Sequence, residues 1–429
     1  MTLELNRRDM FRYTAVGLGS LVLLGSVAAC APEAAAPGAV GSSADPTNFN
    51  FASWGMSEDA TKPVLQAALD KFANSKGVSA EASAYPFNDY LNQLTLQTRG
   101  NQFSGAAQLD VAWLASLAAL GKLTDLGGLT EGRGYTAAAL KAGTFDGKQL
   151  GLPWTIAAIG LVTNTELLER AGATSDPKTI EEFEENLRAI KGLGVIPYAT
   201  ATKAAGLKDI LVWMQTFGSP IMEDGKSTIG DDASIEAVTW YKKLFDEGLI
   251  AADVDRSAAR SLFAQGQTAI YDDAPAGKAG VVGQSPDAAF ADKMVPISRP
   301  VMKDGDAPQE LLWGHLIVVV EGEGSDTAAE FAQWLTSDEA QTVDYFEKLG
   351  NPPTTEAALA SDEVAANTFV SSFTEKVTTN ASSSPLWPYV QYAQMEAAIA
   401  EQVQAVLIGQ SSAADAMKQA GETVNGLIG

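Results

Sequence analysis

Apolar and polar positions along the chain alternate with one period and then shift to another. Asn48-Phe-Asn-Phe-Ala-Ser-Trp54 alternates every second residue, the pattern of a strand, and ends at Gly55. From Ser57 to Ala73, Val64, Leu65, Ala68, Leu69 and Phe72 fall at i, i+3 and i+4 spacing, which predicts a helix with one apolar face. Val78 to Tyr85 reads as the next strand. Phe87 to Thr98 reads as a helix with Tyr90, Leu91 and Leu94 inward, and Leu109 to Trp113 as a short strand. The alternation returns with Ile159 to Thr163, Thr179 to Leu193 and Pro197 to Ala201, where Thr179 and Glu182 form a capping-box pair at the helix start. Leu316-Ile-Val-Val-Val320 is too short to span a bilayer and predicts a buried strand. Strands alternating with helices predict a parallel α/β sheet. The roughly 380 residues after position 47 exceed what one core usually serves, so two α/β lobes are expected.

The first residues have a different character. Asn6-Arg7-Arg8-Asp9-Met10-Phe11-Arg12 is basic, and Ala15 to Ala29 carries no charge but is interrupted by Gly17, Gly19 and Gly25. That run is shorter than the roughly 20 residues a spanning helix needs and suits a secretory h-region. The paired arginines resemble a twin-arginine export signal, and a general secretory signal shares these features. Cys30 is the single cysteine of the 429-residue chain, so neither an intrachain disulfide nor a cysteine metal cluster is available to it. Val27-Ala28-Ala29-Cys30 resembles the lipobox of bacterial lipoproteins, in which the cysteine carries a diacylglycerol. An ordinary cleaved signal with an incidental cysteine is the alternative. Residues 31–47 are Ala, Pro, Gly and Ser with almost no bulky apolar side chain, and read as a flexible spacer. The expectation is a signal peptide over 1–29 and a lipid-anchored linker over 30–47.

Lys and Arg number 29 against 53 Asp and Glu, a net charge of −24, which disfavours nucleic acid and anionic headgroups as partners. His315 is the only histidine, which weakens a zinc cluster, a Cys-His pair and a catalytic triad alike. No Gly-x-Ser-x-Gly elbow, P-loop or Gly-x-Gly-x-x-Gly motif occurs. Asp272 and Asp273 are adjacent on a predicted strand and point to opposite faces, unsuited to paired acid and base work. The chain is expected not to be an enzyme and to need no cofactor or metal; a glycosidase whose acids come from distant segments is the remaining enzymatic alternative.

Four ordered segments carry a family resemblance. Thr144-Phe-Asp-Gly-Lys-Gln-Leu-Gly-Leu-Pro-Trp154 resembles the Asp-Gly-Lys segment of bacterial extracellular solute-binding proteins, in particular the sugar-binding family that includes maltose-binding protein. Leu161 to Leu168 with Ala171-Gly172 and Lys178 to Phe183 is similar to a second block, with Thr163 where a tyrosine is usual. Asp232 to Gly248 with Leu262 to Tyr271, and Asp326 to Gln341 with Asn351-Pro-Pro-Thr354, resemble the third and fourth. The resemblance covers residues 48–429. It implies a two-lobed α/β periplasmic-binding-protein-like fold with a ligand cleft and hinge crossings near Trp154 to Gly160, near Trp313 and after Pro353. The lobes would be 48–156 plus 315–353, and 157–314 plus 354–429. It also implies an extracytoplasmic, membrane-tethered monomer that closes over a carbohydrate and delivers it to the permease of an ABC importer; a peptide or polyamine is the alternative ligand.

Sugars present flat C–H faces and hydroxyl rims, so aromatic rings and polar acceptors are the candidate binders. Trp54 and Trp113 end predicted strands, where open α/β sheets place ligands. Glu58 follows the first strand and is a candidate binder or a helix cap. Trp154 lies beside the first expected crossing; Trp313 and His315 lie near the second. By family position, Asp272 and Asp273 stand where a Gly-Pro-Trp turn is usual, and Trp387 and Tyr389 where aromatics commonly meet sugar. Trp213, Trp240 and Trp334 sit in amphipathic helices and read as core. No candidate is Lys or Arg, which points to a neutral oligosaccharide, disaccharide or polyol.

Overall fold

The computed structural model describes residues 47–428; the expected signal, lipobox and most of the linker lie outside the described residues. Nine strands form one sheet, seven of them along a single path. The nine are β1 (Phe49–Ala52), β2 (Ala80–Ser83), β3 (Gly105–Asp110), β6 (Gly151–Asn164), β7 (Ile196–Ala199), β10 (Thr268–Asp273), β11 (Met294–Ile297), β12 (Glu310–Val320) and β13 (Ala381–Ser382). Two small hairpins, β4 (Thr144–Phe145) with β5 (Lys148–Gln149) and β8 (Met222–Glu223) with β9 (Lys226–Ser227), complete the strands. The order is β2-β1-β3-β12-β6-β10-β7, with β11 on β6 and β13 on β12.

β1 is parallel to β2 and β3, and β7 to β10, as strand-helix alternation predicts. The sheet is nevertheless mixed, correcting the all-parallel expectation. β12 runs antiparallel to β3 and β6, and β6 runs antiparallel to β10 and β11. A strand arriving from a distant segment is free to insert in either direction, and alternation along the chain does not fix it.

β6 joins the two halves of this path. Gly151 to Ile159 pair with β12, whereas Gly160 to Asn164 pair with β10 and β11. The β12–β6 register shifts between His315 and Leu316, opposite Thr155 and Pro153, where proline offers no ladder N–H. Gly314 is required here: a Cβ would lie 2.4 Å from the Thr155 carbonyl oxygen.

The Leu316–Val320 part of β12 is apolar throughout because both of its faces are covered. Ile317 and Val319 join Phe49, Phe51, Phe72, Phe331 and Trp154 on one side; Leu316 and Val318 join Leu94, Leu109 and Leu117 on the other. Around β10 the same division holds, with Ile270, Tyr198 and Phe183 on one face and Tyr271, Phe263 and Phe373 on the other. Each such side chain contributes about 1.5–3 kcal/mol on burial. Trp213 and Trp240 are in the core, as their helical spacing predicts; Trp334 is half-buried against it.

Several boundaries differ from the periodicity reading. The first helix begins at Lys62, because the Ser53 hydroxyl accepts from Gly55 N–H and starts a short 3-10 turn, Trp54–Ser57. β3 starts earlier, at Gly105, and ends at Asp110, whose carboxylate accepts from Ala112 N–H and turns Val111–Trp113 into a second 3-10 segment. Both tryptophans expected at strand ends therefore sit on capped turns just beyond them.

Candidate ligand cleft

The two capped turns place their indoles together. Trp54 lies 5.6 Å from Trp113 between ring centroids and 4.9 Å from His315, edge to face. Trp313 lies 4.7 Å from His315. The helix Phe87–Arg99 adds Tyr90, stacked on Trp113 at 6.2 Å, and Phe87, tilted against it at 5.1 Å. Trp387 packs against the apolar clusters that hold Trp113. Five sequence candidates thus converge: Trp54, Trp113, Trp313, His315 and Trp387. The imidazole is neutral, since burial pulls its pKa down to about 3, and its Nδ1 is 3.2 Å from Gln108 Nε2.

Beside this aromatic group is a cavity of about 480 Å³ between the helix Phe87–Arg99 and the helix Tyr392–Leu407. Phe87, Asn88, Leu91, Asn92 and Trp113 form one wall; Tyr392, Glu396, Ala397, Ala400 and Glu401 form the other, with Lys208 at the side. Glu396 Oε1 accepts from Trp387 Nε1 at 3.1 Å, and Oε2 lies 3.9 Å from Lys208 Nζ. Burial raises the Glu396 carboxyl above the ordinary range, against the opposing effects of Lys208 and Trp387. Asp110 is raised in the same way.

Asp272 and Asp273 are buried, are not on the cavity lining, and engage different partners. Asp272 Oδ1 receives Arg299 Nη2 at 2.9 Å and Oδ2 receives Tyr198 OH at 2.5 Å, all buried. Asp273 is held by Arg260 through Nε and Nη2, each at 2.9 Å, and caps Ala274 N–H. Arg256 Nη2 reaches Asp209 Oδ2 at 2.5 Å. Both aspartates are thus engaged by arginines of the protein itself.

Trp154, Glu58 and Tyr389 are placed apart from the cavity. Trp154 is 1% exposed and stacked on Tyr345 at 4.4 Å within the core that includes Leu152 and Ile317. Glu58 is exposed and accepts from Thr61 Oγ1 at 3.1 Å. Tyr389 is half-buried in the turn that leads into the helix Tyr392–Leu407.

Sequence reasoning missed Phe87, Asn88, Asn92, Lys208, Tyr392, Glu396 and the three arginines. Signals existed for some. Glu396 interrupts an otherwise apolar face, Tyr392, Met395, Ile399 and Val403; Asn88 and Asn92, and Arg256 and Arg260, are i, i+4 pairs on one helix face. Among the described residues no group of His, Cys, Asp and Glu is arranged to hold a metal ion, and no helix is long and apolar enough to cross a membrane.

The fold is shared with solved receptors. The GacH receptor of Streptomyces glaucescens, determined unliganded and with acarbose, superposes with a TM-score of 0.80 at 21% identity, covering 89% of this chain and 98% of that one. Maltose-bound MalE3 of T. maritima gives 0.78 at 20% identity, covering 89% and 100%. The architecture is therefore the two-lobed α/β fold of periplasmic binding proteins. A binding protein of Brucella abortus is 26% identical over 227 residues, 50% of this chain; the chain spans about half that relative's length, 55%. A protein of Deinococcus radiodurans described as a probable ABC transporter-binding protein is 25% identical over 301 residues, 67% of this chain and 71% of its own. A profile of the bacterial extracellular solute-binding proteins matches residues 67–370, most of the chain, and the chain belongs to that family.

Proposed function

We propose that the protein is a lipid-anchored extracytoplasmic receptor that captures a carbohydrate by lobe closure and delivers it to an ABC importer. The observation that carries this reading is the cavity of about 480 Å³ with Trp113 and Phe87 on one wall and Asn88, Asn92 and Glu396 around them. Aromatic faces match the C–H faces of a pyranose, and the amide and carboxylate groups match its hydroxyls. The volume falls in the range of pockets that enclose small ligands. The maltose and acarbose bound by the two structural relatives accord with a sugar ligand.

In this reading the lobes are 48–156 plus 315–353 and 157–314 plus 354–429, hinged where β6 and β12 run side by side. The permease senses the closed form, which the ligand stabilises by differential affinity. Cys30 carries the lipid and residues 31–47 hold the body off the membrane. The protein binds without chemistry, as a monomer.

Thermal unfolding of the purified protein against sugars, polyols, amino acids, peptides and polyamines tests this. Binding to the native state raises stability by about 2.7 kcal/mol at a hundredfold excess over Kd. A shift confined to sugars, with the sugar recovered intact, supports the receptor. A shift with peptides or polyamines alone removes the carbohydrate claim, and release of a cleaved product removes the non-enzymatic one.

A further inference from the structure

We propose that the ligand of this cleft carries a protonated amine, as an amino sugar or a glycoside with a basic nitrogen, seated between the Glu396 carboxylate and the Trp113 and Phe87 rings. This deepens the carbohydrate reading and rests on it.

The charges around the cavity are unbalanced. Among the described residues Lys208 is the one cation on its lining, against Glu396 and Glu401. The nearby guanidiniums are already engaged, Arg256 by Asp209 and Arg260 by Asp273. Asp110, at the foot of the Trp113 turn, adds a further half-buried acid whose charge bears on both Tyr392 and Glu396. Negative charge thus exceeds positive where the ligand would sit.

Glu396 is the distinctive member of this group. It is 8% exposed, so most of its hydration is already gone. One carboxylate oxygen is satisfied by Trp387 Nε1 at 3.1 Å. The other has, among the described residues, only Lys208 Nζ at 3.9 Å, beyond hydrogen-bond range. It is an accessible acceptor of a largely buried side chain on the cavity lining, with unused capacity. Lys208 keeps 47% of its side chain in solvent and is not locked in place by this contact.

A sugar hydroxyl would donate to that oxygen and leave its charge balanced only by Lys208, 3.9 Å away and half in solvent, as the cleft closes. An ammonium donates and neutralises at once, a stronger hydrogen bond. The aromatic wall favours the same group, because ring faces attract cations at short range. Carboxylate on one side and indole on the other therefore select for a basic nitrogen attached to an otherwise sugar-like body.

The test is titration calorimetry of the full protein with three β-1,4-linked disaccharides that differ at C2: cellobiose, the glucosamine dimer and diacetylchitobiose, with spermidine as a fourth probe. The glucosamine dimer is expected to bind about tenfold tighter than the two neutral sugars, the difference between a charged and a neutral hydrogen bond. Glu396→Gln should abolish that preference, bringing the glucosamine dimer to the affinity of the neutral sugars measured on the same variant. On the unmutated protein, raising ionic strength should narrow the same gap, so the result does not depend on the variant folding.

No advantage for the glucosamine dimer over the neutral sugars overturns the proposal, and so does an advantage that survives Glu396→Gln in a folded protein. If the neutral disaccharides bind without an amine preference, the carbohydrate reading stands and this inference falls. If spermidine binds and no saccharide does, the carbohydrate reading falls and this proposal, which rests on it, falls with it.

Discussion

Arg299 Nη2 lies 2.9 Å from Asp272 Oδ1, and both side chains are buried. The same guanidinium faces Glu310, with Nε 3.5 Å from Oε2, and stacks over Trp213 at 4.6 Å. One cation thus serves two buried carboxylates where β10 ends and β12 begins. Removing it strands both. Arg299→Met should cost about 3–5 kcal/mol in denaturant unfolding, because uncompensated buried charge outweighs the lost contact.

Glu310 makes this cluster sensitive to pH. Burial pushes its carboxyl up to about 7, against the opposing charge of Arg299. The folded chain therefore holds a proton that the unfolded chain releases near the ordinary glutamate value of about 4.3. The associated stability is complete below that value and is lost as pH rises towards 7. Unfolding free energies across this window should show a smaller decline in Glu310→Gln than in the unmutated protein.

His315 has the opposite sign. Its ring is neutral in the fold, held down to about 3 by burial beside Trp54 and Trp313. The unfolded imidazole takes a proton near 6.5, so stability falls as pH drops from about 6.5 towards 3. His315→Gln should flatten this acid limb in thermal melts. A limb as steep in the variant as in the parent would show that other groups govern it.

Trp113 and Trp154 should separate binding from folding. Trp113 borders the cavity and keeps part of its surface accessible, whereas Trp154 is enclosed against Tyr345. Trp113→Ala is expected to weaken ligand binding by roughly 1 kcal/mol or more, the scale of a lost aromatic contact. Trp154→Ala should cost about 3–5 kcal/mol of stability and leave the affinity of the folded fraction close to its original value. Calorimetry and chemical denaturation on the same samples read both.

Cys30 can be tested by fractionation. Cys30→Ser should move the protein from the membrane to the soluble fraction without detergent, since two acyl chains on one residue give stable anchoring. A variant that stays on the membrane would remove the lipid anchor from the proposal.

By itself the sequence determined the class of fold. The two-residue alternation of Phe49 to Ala52, the i, i+4 face of Leu65, Leu69 and Phe72, and the apolar run Leu316 to Val320 are imposed by backbone geometry and burial, which act over a few residues and are written locally. The ordered motifs carried the family for the same reason: each is a short segment. Tertiary structure alone decided the direction of β12, the enclosure of Trp154, and the engagement of Asp272 and Asp273 by Arg299 and Arg260. It also made the cavity, where Phe87 and Asn88 from one helix face Tyr392 and Glu396 from another some 300 positions later. Which faces meet across that distance depends on packing of the whole chain, and no local period records it.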